Sequence, residues 1–157
     1  VDGYQFAATP ATYEKANENT SRETVIMNMI NTFLGRMHLA SHIDLLSDDK
    51  RALIKEGVEY YDSLTPAKKT ALPFLPCGFA SFGDEHVAAG LKTENKAYLS
   101  VYNLGKPGEF SINVGKEYRK ATCAYPKSND LKYSLKNGIL TVEFSEAYQA
   151  RFFELEI

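Results

Sequence analysis

The chain has 157 residues and a net charge of -2 at pH 7, the size of one ordinary domain or two small ones packed together. Apolar residues make up 44% and charged residues 24%, globular proportions that exclude disorder and any unusual scaffold. With Lys50-Arg51 and Lys68-Lys69 as the nearest thing to a basic cluster, no apolar run of bilayer length and no basic start followed by an apolar stretch, neither nucleic acid nor a membrane is an expected partner.

Up to about Leu72 the apolar residues recur every three or four positions, and from about His86 they alternate. Thr9-Pro10 reads as a cap with proline at the first helical position, opening a short helix to about Asn17. Thr20-Ser21-Arg22-Glu23 has capping-box spacing, so the Thr20 hydroxyl and the Glu23 carboxylate would each satisfy a free amide. The helix it opens carries Ile26, Met29, Ile30 and Phe33, and Gly35 in a left-handed conformation would end it at Leu34. Arg36 to Ala40 can then form a short strand. Ser47-Asp48-Asp49 opens a further helix with two carboxylates at its positive end, apolar through Leu53, Ile54, Val58, Tyr61 and Leu64 and stopped by Thr65-Pro66.

Pro73 to Gly78, with two prolines and a glycine, resembles a connector. The expected division is a helical segment over 1–72, a connector over 73–85 and a β domain over 86–157. Candidate strands run from His86 to Leu91, Lys96 to Tyr102, Glu109 to Val114, Lys120 to Ala124, Leu131 to Leu135, Ile139 to Phe144 and Arg151 to Ile157. Asn137-Gly138 predicts a tight hairpin turn. Phe153, Leu155 and Ile157 alternate with Glu154 and Glu156, giving the last strand one buried and one wet face. The fold class is α+β: helices, then an antiparallel β-sandwich of about seven or eight strands.

Chemistry-bearing residues are few. Cys77, in a Pro-Cys-Gly turn, and Cys123, in a strand pattern, read as free thiols. His38 and His42 are four apart, a metal-pair spacing on a continuous helix, but Gly35 opposes that helix and no Glu follows His38. No metal or cofactor is expected. Asp84-Glu85-His86 reads as a solvated turn, and Tyr98 and Tyr102, on one strand face, as packing rather than a platform for a sugar ring.

Gly35 to Asp44, Leu45 to Lys50 and the helix ending Glu59-Tyr60-Tyr61 resemble the carboxyl end of the catalytic barrel in family 36 glycoside hydrolases, the α-galactosidases. Val87 to Leu91, a spacer and Tyr98 to Tyr102 are similar to the β domain that follows it. The resemblance implies retaining hydrolysis of terminal α-galactosides by two carboxylates about 5–5.5 Å apart. Neither the Asp-x-Lys-x-Asp nucleophile segment nor the Ser-Asp-x-x-Asp acid/base segment of that family occurs here, and Asp48-Asp49 read as caps. The chain is thus expected to be the non-catalytic carboxyl-terminal portion, inactive alone, its sandwich stabilising the barrel. Ser41 and His42 lie just past the expected last barrel strand, where they would touch a sugar hydroxyl in an intact barrel. The implied partners are the missing barrel portion, a second copy covering the helices, or carbohydrate. The alternative is a self-sufficient carbohydrate-binding or protein-interaction module. The chain reads as soluble, its export signal absent or already removed, with the cytoplasm the favoured compartment.

Overall fold

The computed structural model describes residues 17–39 and 42–157; the expected helix from Thr9 and the residues Ala40 and Ser41 lie outside these. Helix α1 (Arg22–Phe33) is capped one residue later than the capping box predicts. The Ser21 hydroxyl accepts the Thr24 amide at 3.0 Å, and Thr20 Oγ1 accepts the Asn17 amide at 3.0 Å. Glu23 does not turn back to the backbone, because its carboxylate is engaged by Arg151 at 2.7 Å. At the other end Leu34 is right-handed and Gly35 is not among the positive-φ glycines. Helix α2 (Asp48–Lys68) ends α1 instead: Lys68 Nζ donates to the carbonyls of Phe33 and Gly35 at 3.2 and 2.8 Å, and the Tyr61 hydroxyl donates to Gly35 at 3.2 Å. A cation on the last carbonyls serves the helix end as a left-handed glycine would.

Helix α2 also outruns its expected stop, with Pro66 inside its final turn. A proline removes one donor, and the helix closes two residues later with the Lys69 amide on the Pro66 carbonyl at 3.3 Å. Between the helices, the expected strand from Arg36 to Ala40 is reduced among the described residues to a single bridge residue, His38, followed by a 3-10 helix over Ile43–Leu45.

Eight strands follow in two antiparallel sheets: β1 (Leu72–Phe74), β2 (His86–Lys92), β3 (Lys96–Asn103), β4 (Gly108–Asn113), β5 (Lys120–Tyr125), β6 (Lys132–Lys136), β7 (Ile139–Phe144) and β8 (Gln149–Glu156). One sheet has the order β1-β2-β3-β8-β5 and the other β4-β7-β6. The seven expected strands all form. β1 is additional and opens the stretch expected as a connector; at the sheet edge, Pro73 need not donate to a second neighbour. Asn137 and Gly138 take φ of 51° and 79°, the pair of positive values that a tight hairpin turn requires.

The five-stranded sheet is the middle of three layers. Along β8, Ala150 and Phe152 join α1 and α2 in one core with Ile26, Ile30, Phe33 and Leu53. Phe153 and Leu155 join Leu99, Val101, Leu140 and Val142 in a second core between the sheets. The last strand therefore has no wet face over most of its length, contrary to the alternation read from its glutamates. Folding back of the helices onto the sheet gives their apolar faces cover within the chain.

Candidate functional site

Of the two residues placed at the barrel's end by resemblance, Ser41 lies outside the described residues. His42 is exposed at the start of the 3-10 helix, its Nδ1 3.7 Å from Asp44 Oδ1, both side chains open to water. His38 sits in its isolated bridge, and among the described residues no group of three His, Cys, Asp or Glu side chains is arranged to hold a metal ion.

Tyr98 and Tyr102 share the sheet face that the helices cover, and both pack against the helix core. Burial pushes the Tyr102 phenol up to about 12. Nearby, the Tyr60 hydroxyl donates to Glu154 at 2.8 Å, and Lys96 reaches the same carboxylate at 3.3 Å. An aromatic platform would need open faces, so these rings act in packing.

Three carboxylates, Asp49, Asp130 and Glu156, are held below the ordinary range. The Ser47 hydroxyl beside Asp49 lowers its pKa, and Asp48 pairs with Arg51 one turn along α2. Hydrogen bonds from Lys96 and then Lys120 hold Glu156 below the usual range. At Asp130 burial acts upward, but the Arg151 hydrogen bond, its own backbone amide and the Arg151 and Arg22 charges together prevail and lower it. A glycosidase's general acid needs the opposite shift, since it must hold its proton at working pH.

The densest polar constellation joins the helices to the sheet. Arg151, fully buried, donates from Nη1 to Glu23 Oε2 at 2.7 Å and from Nη2 to Glu23 Oε1 at 3.1 Å, a fork-on-fork pair. Its Nη2 also reaches Asp130 at 3.0 Å, its Nε reaches Asn129 Oδ1 at 2.9 Å, and Nη1 donates to its own strand's Ala150 carbonyl at 2.7 Å. Burial opposes the charge, but Glu23 and then Asp130 more than compensate, so the guanidinium stays charged. Arg22 extends the junction to Ser128, accepted by its carbonyl at 2.9 Å and its hydroxyl at 2.8 Å. This node was missed in the sequence. Its one signal is an arginine inside the apolar run Ala150-Arg151-Phe152-Phe153.

The turn Asp84-Glu85-His86 is only partly solvated. Asp84 Oδ2 accepts the Ser81 amide at 2.6 Å, and the His86 ring stacks on Phe110 with centroids 4.7 Å apart, leaving Nε2 buried and without a hydrogen-bond partner. A cavity of about 90 Å³ beside it is lined by Leu75, Cys77, Phe79, Asp84 and His86, small against the roughly 300–1,000 Å³ of ligand pockets. Desolvation raises both thiols, but Cys77 is exposed, while burial pushes the Cys123 thiol up to about 12. Ellman's reagent at pH 8 is therefore expected to titrate Cys77 first and Cys123 at least ~10-fold more slowly, because the thiolate is the nucleophile and Cys123 is also shielded. Equal rates for both thiols would contradict the burial of Cys123.

No protein-family model matches the chain. Its backbone superposes on the galactosidase domain of the alpha-galactosidase-sucrose kinase AgaSK with a TM-score of 0.62 at 15% identity, over 95% of this chain and 21% of that one. A looser superposition, TM-score 0.47 at 12% identity, covers 92% of this chain and 41% of a GH30 endoxylanase from Clostridium papyrosolvens. By sequence, 70 residues are 40% identical to a probable cytochrome c oxidase subunit 2 from Mycobacterium leprae (strain TN), covering 41% of this chain and 20% of that protein. The chain thus spans about a fifth of both the galactosidase domain and the oxidase subunit. At 15% identity the first likeness speaks for the fold: helices followed by a two-sheet sandwich.

Proposed function

We propose that this chain is the non-catalytic carboxyl-terminal portion of an α-galactosidase-like glycoside hydrolase of the family 36 type, in which the sandwich stabilises the end of the catalytic barrel. The observation that carries the reading is the extent of the superposition. A match over 95% of the chain takes in the helices as well as the sandwich, on about a fifth of a galactosidase domain. A free-standing sandwich module would have no reason to share the helices. In this reading Ser41 and His42 contact sugar only when the rest of the barrel is present. The two free cysteines suit a reducing compartment and favour the cytoplasm.

The reading frame upstream of Val1 provides the test. It is expected to encode a barrel carrying both carboxylate motifs, and a start codon directly before Val1 would overturn the reading. The chain alone is expected neither to hydrolyse nitrophenyl α-galactoside nor to release heat when titrated with galactosides. Turnover abolished by replacing one carboxylate would refute the non-catalytic assignment. Galactoside affinity in the isolated chain would favour a binding module.

A further inference from the structure

Four strands stand at sheet edges, β1 and β5 in one sheet and β4 and β6 in the other. An edge presents a row of unpaired amides and carbonyls, and folded chains guard it against pairing with other strands. Three of these edges are guarded. β1 has only three residues, one of them Pro73. β5 breaks its register between Cys123 and Tyr125, and the Tyr133 hydroxyl accepts the Cys123 amide at 3.2 Å. β6 carries Lys132 and Lys136 at its two ends. By contrast, β4 runs for six residues in continuous register with β7, without proline, lysine or bulge, and Glu109 is its one charge.

The Val114 amide donates to the opposite Gly138 carbonyl at 2.9 Å, which sets the alternation along β4. Ile112 and Phe110 turn their backbone groups to β7, so Glu109, Ser111 and Asn113 turn theirs to the open edge. The side chains of those three are exposed, while Phe110 and Ile112 face the core between the sheets. Beside this edge the other sheet overhangs. Phe110 stacks on His86 of β2, so β4 lies across from β2 and β1 reaches past it. Phe74 of β1 packs in the core between the sheets, yet Leu72, two residues away on the same face, is 64% exposed. The three-stranded sheet ends one strand too early to cover it.

We propose that β4 pairs antiparallel with β4 of a second copy about a two-fold axis at Ser111, joining the three-stranded sheets of two chains. With Ser111 opposite its own counterpart, Glu109 lies opposite the second copy's Asn113 and Phe110 opposite its Ile112. Every outward amide and carbonyl of the strand then gains a partner. The side chains also agree, because a carboxylate meets an amide, a hydroxyl meets a hydroxyl and an aromatic ring meets a β-branched chain. An axis at Glu109 would set like charges face to face, and one at Phe110 would set Asn113 against Pro107, which has no amide to give. An axis at Ile112 or Asn113 would carry Glu109 past the end of the opposite strand. This self-complementarity of one sequence selects a second copy as the occupant, and the added strand would run beneath β1, where Leu72 lacks cover. Neither observation depends on the parentage proposed above.

The test uses the 157-residue chain. Sedimentation equilibrium is expected to show monomer and dimer in a balance set by concentration. In the dimer the amides of Glu109, Ser111 and Asn113 should exchange hydrogen at least about tenfold more slowly than in the dilute chain, while those of Phe110 and Ile112, already bonded to β7, change little. Asn113→Lys, facing Glu109, is expected to tighten the dimer about threefold or more, and Asn113→Glu to weaken it by about as much. Ser111→Lys sets like charges on the axis and should dissociate the dimer, leaving the unfolding midpoint of the dilute chain in place because Ser111 is exposed. A chain that stays monomeric to about 1 mM would overturn the pairing. So would a dimer that Asn113→Lys and Asn113→Glu affect alike, since its strands would not be in this register. Protection of the three amides that does not depend on concentration would overturn it as well, since something other than a second copy would then cover β4.

Discussion

Glu23→Ala is expected to lower the unfolding free energy by about 3–5 kcal/mol, the range seen when one partner of a buried ion pair is deleted. Arg151 is fully buried, and Glu23 meets it with both carboxylate oxygens. Without Glu23 the guanidinium keeps Asp130, but that carboxylate is 69% exposed and shares its charge with water. Asp130→Asn is accordingly expected to cost no more than about 1 kcal/mol. The double change Glu23→Leu with Arg151→Met should recover much of the loss, because an apolar pair avoids the desolvation that the charges incur. Urea unfolding monitored by tyrosine fluorescence would measure all three. A loss below about 1 kcal/mol for Glu23→Ala would mean that water reaches Arg151 and that the junction does not hold the helices. Acid has a defined sign here. The pKa of Asp130 is depressed in the folded chain, so its contribution is fully present above the ordinary carboxylate range and is lost as pH falls through the folded value.

Phe33→Ala is expected to cost about 3–5 kcal/mol, the usual range for deleting a buried phenyl ring. Phe33 has no exposed surface and ends α1 at the point where the layers meet. Its ring lies edge-on to Tyr125 and Phe152, with centroids at 5.1 and 5.2 Å, and tilted against Tyr60 at 5.4 Å. It therefore touches β5, β8 and α2 at once, and no single neighbour can move to fill the space without breaking another contact. The Tyr125 hydroxyl, bonded to the Leu53 carbonyl at 3.1 Å, pins one wall of the cavity. The near-ultraviolet signal of the tyrosines should weaken with stability. Retention of the wild-type midpoint would show that the helices are dispensable to the sheet.

The sheet was largely legible in the sequence because alternation reports burial directly, and Asn137-Gly138 fixes one register through backbone conformation alone. Two departures share one cause: a distant residue supplies what local pattern assigns to a neighbour. Glu23 leaves the capping box for an arginine 128 positions away, and Lys68 from the next helix takes the role expected of Gly35. β1 escaped notice because a proline hides a strand at an edge, where only one side needs pairing. The wet face expected for β8 is covered by helices that no strand periodicity can announce. Of the site, the absence of the two catalytic segments was readable. The junction at Arg151 was not, since Glu23 and Arg151 stand 128 positions apart and meet only where α1 packs on β8, the strand paired between β3 and β5.

That pairing also sets an order on synthesis. β8 is made after the other seven strands, yet it stands between β3 and β5 and belongs to both cores. Until residue 156 has left the ribosome, β3 and β5 each lack the neighbour they share, and α1 has neither Arg151 nor Phe152 to pack on. The nascent chain must therefore keep its helices and seven earlier strands in an unfinished state until β8 emerges, where chaperones and proteases meet it. Loss of β8 would therefore abolish the whole domain rather than trim its edge.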